Sequence, residues 1–168
     1  MLLDEPGSEN TDLSRLAMVI GGSALPEALA EQAMARGIDI FAGYGMSEAC
    51  PILSMCSSWP AGSSHEEELR ARVRPGAPAP LIDMQIVDPD MRPLPKDGVS
   101  TGEIVVRGPW LTPGYLDDEA ASAALWAGGW MHTGDVGKMD ETGQLSITDR
   151  LKDVIKSGGE WISSLDME

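Results

Sequence analysis

The sequence predicts an α/β fold, a partial βαβ unit, that continues into a small antiparallel β-sheet or barrel. Near the start of the chain, two short apolar runs flank a segment with helical spacing, an order typical of a parallel βαβ unit. From residue 81 onward, apolar and polar residues alternate, and turns rich in Gly and Pro separate the segments. That period of two is typical of antiparallel strands.

The predicted βαβ unit has three elements. Residues 16–20 form an unbroken apolar run that two glycines end, as expected of a buried parallel strand. A helix is predicted over 26–36, because its apolar residues recur every three to four positions and Gly37 suits its C-terminal end. Residues 38–42 form the second strand, which would pair in parallel through a right-handed crossover.

Residues 57–79 predict an exposed connection with one short helical turn. The segment carries an acidic triplet and then Arg70, Arg72 and Arg74. Arginines can bind anions, but we interpret these as a solvated face that balances the acids.

The antiparallel part is predicted to contain four strands and one helix. Strands are expected at 82–86 and 102–108, and a helix at 117–125. Residues 136–140 and 145–148 flank a Glu-Thr-Gly turn, which predicts a hairpin.

Composition excludes several classes of function. Twelve Lys and Arg stand against 27 Asp and Glu, a net charge of −15, so we expect no nucleic-acid partner. No apolar run reaches the roughly 20 residues that span a bilayer, and no export leader is apparent. The two cysteines match no zinc spacing, which favours reduced thiols and a cytoplasmic location.

The first candidate site lies in Gly43–Glu48, where a strand ends and two glycines follow. Ligands bind at the carboxyl ends of parallel strands in α/β proteins. Tyr44 offers a flat face to a base, and Ser47 can donate to a phosphate oxygen. Glu48 is a hard oxygen ligand suited to Mg²⁺. Taken alone, the segment fits a glycine turn with a surface acid equally well.

Thr133-Gly134-Asp135 is the second candidate. An aspartate held in a tight turn can accept two hydrogen bonds from a ribose diol. By itself a match of three residues predicts only a turn. His132, next to it, lacks an evident nucleophile, so we interpret it as structural. The nearby tryptophans are interpreted as core or domain contacts.

The third candidate is the block from Asp149 to Glu160. Arg150 has a rigid guanidinium fork for ribose or phosphate oxygens. Lys152 and Lys156 would share one face if the segment were helical. Gly158-Gly159 would let the backbone approach a ligand closely. The length of the block argues against a mere charged helix end.

In this order, the blocks resemble the adenylate-forming superfamily, which includes acyl-CoA synthetases, peptide-synthetase adenylation domains and luciferases. The resemblance extends from about residue 16 to residue 168. The matching blocks are 21–24, 44–48, 102–104 with 107–108, 133–135 and 149–160. Residues 43–53 and 150–164 look most like fatty acid:CoA ligases of the medium- to long-chain type.

The resemblance implies a role for each matching residue. The nucleotide-binding residues would be Gly22, Ser23, Ala24, Tyr44, Gly45, Met46, Asp135 and Arg150. Among them, Tyr44 would stack on the base, while Asp135 and Arg150 would hold the ribose. Ser47, where the family usually has threonine, would contact phosphate, and Glu48 would hold Mg²⁺.

The matching residues that follow Arg150 would serve the step in which a thioester with coenzyme A forms. The resemblance implies that Lys152 lies at a domain hinge and that Lys156 is catalytic in thioester formation. Gly158 and Gly159 would then bind coenzyme A. The implied domains are a partial Rossmann-like subdomain at 1–60, an antiparallel β subdomain at 61–149, and at 150–168 the hinge and start of a C-terminal α+β domain.

The implied activity is ATP-dependent ligation of a fatty acid to coenzyme A through acyl-AMP, with Mg²⁺. The family's glycine-rich phosphate loop and adenylation lysine are not in this sequence, so we expect an internal piece that is inactive alone. Exposed strand edges predict a homo-oligomer. An aryl or amino acid substrate, or a non-catalytic partial nucleotide-binding module, remain alternatives.

Overall fold

The computed structural model describes residues 3, 5, 7–56, 59 and 61–152, and the backbone of 155–157 and 160–162. The helices are Glu27–Ala35 (α1), His65–Arg72 (α2) and Glu119–Leu125 (α3). The strands are Ala17–Ile20 (β1), Asp39–Gly45 (β2), Ile52–Met55 (β3), Ala77–Pro78 (β4), Asp83–Val87 (β5), Gly102–Arg107 (β6), Met131–Met139 (β7), Leu145–Arg150 (β8), Ile155–Ser157 (β9) and Glu160–Ile162 (β10).

The first sheet has the strand order β1-β2-β3-β4. β1 and β2 pair in parallel across α1, which confirms the predicted βαβ unit. β3 and β4, which were not predicted, add to the sheet in antiparallel fashion. β2 continues to Gly45 rather than ending at residue 42, because its last residues pair with β3. Tyr44 therefore lies inside a strand and not in the turn after it.

The second sheet is antiparallel, with the order β5-β6-β7-β8. Its strands confirm the antiparallel prediction, and within the described residues the sheet stays open rather than closing into a barrel. β7 begins at Met131 rather than at residue 136. β9 and β10 form a separate two-stranded hairpin.

One hydrophobic core joins the two sheets. Tyr44 and Leu53 of the first sheet are buried in the same cluster as Ile104, Met131 and Leu145 of the second. A second cluster lies between α1 and the parallel strands, where small alanines allow the helix to approach closely. The shared core fixes the end of β2 against β7 and β8.

β1 differs from the expectation of a fully buried strand. Val19 of β1 is 46% exposed, and Leu16, which was predicted to begin the strand but precedes it, is 39% exposed. β1 is an edge strand, and α1 packs on one face of it only, so its other face meets solvent in this structure. An unbroken apolar run does not distinguish such a strand from a central one.

α2 is longer than the single turn that was expected. Ser64 and Glu67 form a capping box: the Ser64 hydroxyl accepts from the Glu67 amide, and the Glu67 carboxylate accepts from the Ser64 amide at 2.7 Å. The Ser-x-x-Glu spacing was present in the sequence and would have predicted this start. Two reciprocal hydrogen bonds explain why a strongly charged segment forms eight helical residues.

The interpretation of Arg72 as part of a solvated face is wrong. Arg72 is buried, and its guanidinium lies 2.6 Å from Asp39 and 2.8 Å from Glu68. It also donates to the carbonyl of Ile40 and lies 3.9 Å from the ring centre of Trp59. Arg72 thus ties α2 to β2. Its neighbour Arg70 is exposed, as expected.

The boundaries predicted at residues 60 and 149 stay predictions. α2 and β4, which lie beyond residue 60, both contact the first sheet or its helix. None of the helices in the described part of the chain has the length and apolar character needed to cross a bilayer.

Candidate functional site

Two adjoining clefts lie where the end of β2 meets β7 and β8. Their volumes are about 530 and 750 Å³. Four predicted site residues line both clefts: Gly22, Gly45, Asp135 and Arg150. The smaller cleft adds the predicted residues Ser23, Ala24 and Tyr44, and the larger adds Met46, Ser47, Glu48 and Lys152. The fold thus brings together residues from all three motif blocks.

Three predicted site residues do not belong to this group. Lys156 lies in β9, so the condition under which it would share a helical face with Lys152 is not met. The side chain of Lys156, together with Gly158 and Gly159, lies outside the described residues. Their predicted roles with coenzyme A stay predictions.

Two side chains hold the Asp135 carboxylate: Tyr44 of β2, in the first sheet, and Arg150 of β8, in the second sheet. The Tyr44 hydroxyl donates to Asp135 Oδ2 at 2.7 Å, and the other carboxylate oxygen, Oδ1, lies 3.8 Å from Arg150 Nε. Burial of Tyr44, and then the negative charge of Asp135, raise the pKa of the Tyr44 hydroxyl far above its ordinary value. The hydroxyl therefore stays a hydrogen-bond donor, and the carboxylate keeps one orientation.

A bulge in β7 places Asp135, so the expected tight turn is wrong. Val136 pairs with Glu103 and His132 pairs with Val105, which leaves three β7 residues opposite Ile104 alone. Gly134 has φ 69°, a left-handed conformation that glycine adopts without steric cost. The extra length re-aims the strand at this point, and Asp135 lines both clefts.

Hydrogen bonds from Thr133 and Glu103 stabilise the bulge. The buried Thr133 hydroxyl donates to the Ile104 carbonyl at 2.7 Å and accepts from the Asp135 amide at 3.1 Å. Glu103 accepts from the Gly134 amide at 3.3 Å and lies 3.0 Å from His132 Nδ1. His132 Nε2 also lies 3.2 Å from the Ala127 carbonyl, and these contacts fit the structural role predicted for His132. Sequence reasoning missed the supporting role of Glu103, because the bulge register that unites these groups leaves no local pattern.

Glu48 follows β2 in a 3-10 turn, Ser47–Ala49. Its backbone carbonyl accepts from the Thr112 amide at 2.8 Å, and its Oε1 accepts from the Tyr115 hydroxyl at 2.7 Å. The hydrogen bond raises the pKa of Tyr115. Sequence reasoning missed Tyr115, because 67 residues separate it from Glu48 and neither position signals the other.

The side chains near Glu48 offer one carboxylate and one hydroxyl to a cation, not a complete set of ligands. Among the described residues, no three His, Cys, Asp or Glu side chains cluster as a metal cage. Mg²⁺ does not require a cage: it binds through one or two carboxylates and keeps waters and substrate phosphates as its other ligands. Glu48, beside the Ser47 hydroxyl in an open cleft, fits that description. Arg150 and Lys152 add positive charge to the same cleft.

The tryptophans are structural, as interpreted from the sequence. Trp110 Nε1 donates to the Ile52 carbonyl, and Trp126 Nε1 donates to the Thr112 carbonyl. The Trp130 ring lies 4.0 Å from the Arg107 guanidinium. These contacts hold the segments around the clefts, and none of the tryptophans whose side chains the structure describes lines either cleft.

The mixed first sheet and the antiparallel second sheet, which meet at the two clefts, define an α/β protein with a candidate ligand site at that junction. The family model described as AMP-binding enzyme matches residues 1–116, more than half of the chain. The chain therefore belongs to the AMP-binding enzyme family.

Curated relatives match almost all of this chain. A long-chain-fatty-acid–CoA ligase of Thermus thermophilus is 42% identical over 99% of the chain. A 3-methylmercaptopropionyl-CoA ligase of Ruegeria pomeroyi is 37% identical over 96% of it. The chain spans 31% and 30% of the length of these two relatives.

A solved structure matches the fold. The o-succinylbenzoate coenzyme A synthetase of Bacillus subtilis, in complex with ATP and magnesium ion, superimposes with a TM-score of 0.72 and 31% identity. That comparison covers 90% of this chain and 30% of the synthetase.

Proposed function

We propose that the chain carries the adenosine-binding half of an ATP-dependent fatty acid:CoA ligase that works through an acyl-AMP intermediate. The observation that carries this proposal is the Asp135 carboxylate, held by Tyr44 and facing a cleft beside Arg150. Two acceptor oxygens in a fixed orientation suit the two hydroxyls of a ribose. Similarity to the Thermus thermophilus ligase supports the fatty acid as substrate.

The proposed nucleotide roles follow the lining of the two clefts. Asp135 and Arg150 hold the ribose, and Tyr44 lies against the base. Gly22, Ser23, Ala24, Gly45 and Met46 complete the lining. Because the Tyr44 hydroxyl is hydrogen-bonded to Asp135, one edge of the Tyr44 ring stays against the second sheet. Only part of the ring surface is therefore available to a base.

The proposed chemistry has two steps. The carboxylate of the acid attacks the α-phosphorus of ATP, pyrophosphate leaves, and acyl-AMP forms. The thiol of coenzyme A then attacks the mixed anhydride and releases AMP. When bound, Mg²⁺ would offset phosphate charge. Ser47 donates to a phosphate oxygen and Glu48 would hold the cation, while the cationic Arg150 and Lys152 attract the anionic nucleotide.

The remaining proposed roles concern the second step. Lys152 lies at a hinge that separates adenylation from thioester formation, and Lys156, Gly158 and Gly159 serve the coenzyme A step. The domain limits proposed for this arrangement are 1–60, 61–149 and 150–168. A cytoplasmic location and a homo-oligomer stay predictions.

A second candidate is a ligase for an aryl acid. The o-succinylbenzoate coenzyme A synthetase shares the fold at 31% identity, which supports an aryl acid as an alternative substrate. A non-hydrolysable acyl-AMP mimic distinguishes the candidates: long alkyl mimics should bind this chain more tightly than aryl mimics. The opposite order would favour the aryl substrate.

The test of the site itself uses calorimetry with AMP. We expect Asp135→Asn to weaken AMP binding more than about tenfold, since each ribose hydrogen bond to a charged group contributes about 1.5–3 kcal/mol. The analogue without the ribose hydroxyls should bind the wild-type chain and the variant equally weakly. Asp83→Asn, an exposed acid on β5, is the control and should leave AMP binding unchanged. Undiminished AMP binding by Asp135→Asn would contradict the proposal.

A further inference from the structure

We propose that Tyr115 is a positioning residue that orients the Glu48 carboxylate for a divalent cation bound together with a nucleotide phosphate. The inference rests on the proposed function, because that function makes Glu48 the cation ligand. It assigns a role to a residue that belongs to none of the motifs identified in the sequence.

Glu48 is held twice by one short loop, residues 112–115, here named the Tyr115 loop. The Thr112 amide donates to the Glu48 backbone carbonyl at 2.8 Å, and the Tyr115 hydroxyl donates to Glu48 Oε1 at 2.7 Å. The second oxygen, Oε2, makes no hydrogen bond to any residue that the structure describes. Glu48 lines the larger cleft together with Ser47. With Oε1 fixed, the carboxylate has fewer orientations in which Oε2 can meet a cation.

The Tyr115 loop is itself anchored to α3. The Tyr115 amide donates to the Ser122 hydroxyl at 2.8 Å, and that hydroxyl donates to the Asp118 carbonyl at 2.6 Å. A side chain at Gly114 would lie 2.6 Å from the same hydroxyl oxygen, so the loop requires glycine for this close approach. The backbone of Tyr115 therefore has little freedom, and its hydroxyl stays directed at Glu48.

The exposure of Tyr115 argues against a purely packing role. The residue is 44% exposed, and its neighbour Leu116 is 91% exposed, so neither fills the core. What distinguishes Tyr115 is its hydroxyl bond to Glu48. A group that hydrogen-bonds a ligating carboxylate typically changes metal affinity by about 10- to 100-fold when it is removed. With a single protein carboxylate at the cation, its orientation matters more than in a cage of several ligands.

The test measures binding of ATP with and without Mg²⁺, and of adenosine, by calorimetry. Tyr115→Phe removes only the hydroxyl, and we expect it to lower the affinity for Mg·ATP about tenfold while adenosine binding is unchanged. Ser122→Ala, which releases the loop, should act in the same direction with a smaller effect. Leu116→Ala is the matched control and should bind like the wild type. Equal Mg·ATP affinity for Tyr115→Phe and wild type would overturn the inference.

A second readout separates this inference from the proposed function. If the wild-type chain binds neither adenosine nor ATP, the proposed function fails for this chain. In that case, Mn²⁺ is added to the nucleotide-free protein and the broadening of the amide NMR signals is measured. Paramagnetic broadening that is centred on the Glu48 amide, and is weaker in Tyr115→Phe than in the wild type, supports the positioning role. Broadening that is absent, or equal in both proteins, overturns it. An unchanged melting temperature of Tyr115→Phe excludes a folding effect.

Discussion

The Tyr44 hydroxyl donates a 2.7 Å hydrogen bond to Asp135 Oδ2, a residue 91 positions further along the chain. The bond joins the last residues of β2 to the bulge of β7, so it crosses from one sheet to the other at the cleft. Because Tyr44 is buried, this contact has consequences for stability as well as for binding.

The first prediction concerns alkaline pH. The pKa of Tyr44 lies well above its ordinary value of 10.0, because of burial and then the charge of Asp135. Above about pH 10 the unfolded chain loses the Tyr44 proton while the folded chain keeps it, so the free energy of unfolding should fall as pH rises. Urea unfolding from pH 9 to pH 12 measures the slope.

Tyr44→Phe is the control for this slope. It keeps the ring but has no titrating group, and it should lose about 1 kcal/mol at neutral pH together with the hydrogen bond. Its stability should then fall less steeply above pH 10 than that of the wild type. Parallel slopes for the two proteins would refute the prediction.

Thr133→Val tests the bulge that places Asp135. The change is nearly isosteric, but it leaves the Asp135 amide and the Ile104 carbonyl without the hydroxyl that serves both. We expect a loss of about 1–3 kcal/mol in unfolding free energy, measured in urea, and weaker AMP binding. Thr101→Val removes an exposed hydroxyl and should change neither quantity. A stable Thr133→Val protein would mean that the bulge does not depend on this hydroxyl.

Gly45 and Gly21 differ in the space that each leaves for a side chain, so their alanine variants can be compared directly. A methyl group at Gly45 would overlap the carbonyl oxygen of Pro51, whereas one at Gly21 would lie 3.5 Å from its nearest neighbour, an ordinary contact. Backbone atoms cannot move aside cheaply, so Gly45→Ala should cost about 3 kcal/mol or more. Gly21→Ala should stay within about 0.5 kcal/mol of the wild type. Thermal and urea unfolding compare them, and similar losses would exclude the steric explanation.

Arg72 and Arg70 lie on the same helix but differ in burial. Arg72→Met removes the contacts to Asp39, Glu68 and the Ile40 carbonyl. It should cost about 1–3 kcal/mol, since the buried Ile40 carbonyl loses a donor, while the two carboxylates can regain water. Arg70→Met removes one exposed pair with Glu66 and should change stability by less than about 0.5 kcal/mol. Equal urea midpoints for the two variants would contradict the role given to Arg72.

The βαβ unit and the antiparallel strands were predictable from sequence because each element has a local signal. The apolar run before Gly21, the helical spacing before Gly37 and the hairpin turn at Gly143 are all set by neighbouring residues. β3 was missed because its four residues form a strand by pairing with the end of β2, and the spacing of apolar residues in the sequence does not indicate that pairing. The same pairing lengthened β2 past Tyr44.

Most of the predicted site residues line the two clefts, because the strands that carry them or that they follow have local signals in the sequence. The residues that hold these site residues in place were not predictable from the sequence. Thr133 and Asp135 form a bulge only in relation to β6, and Tyr115 reaches Glu48 only through the folded path of its loop. Arg72 resembled its exposed neighbours in sequence, and only the packing of α2 on β2 buries it.

The cleft between the sheets is lined by residues from β2 on one side and from β7 and β8 on the other. An occupant would therefore act as a cross-link between the two halves of the molecule. Since such a ligand binds the folded chain only, it stabilises both sheets by mass action, by about 2.7 kcal/mol at a hundredfold excess over its dissociation constant. If the occupant is the proposed nucleotide, its concentration would raise the folded fraction of the chain.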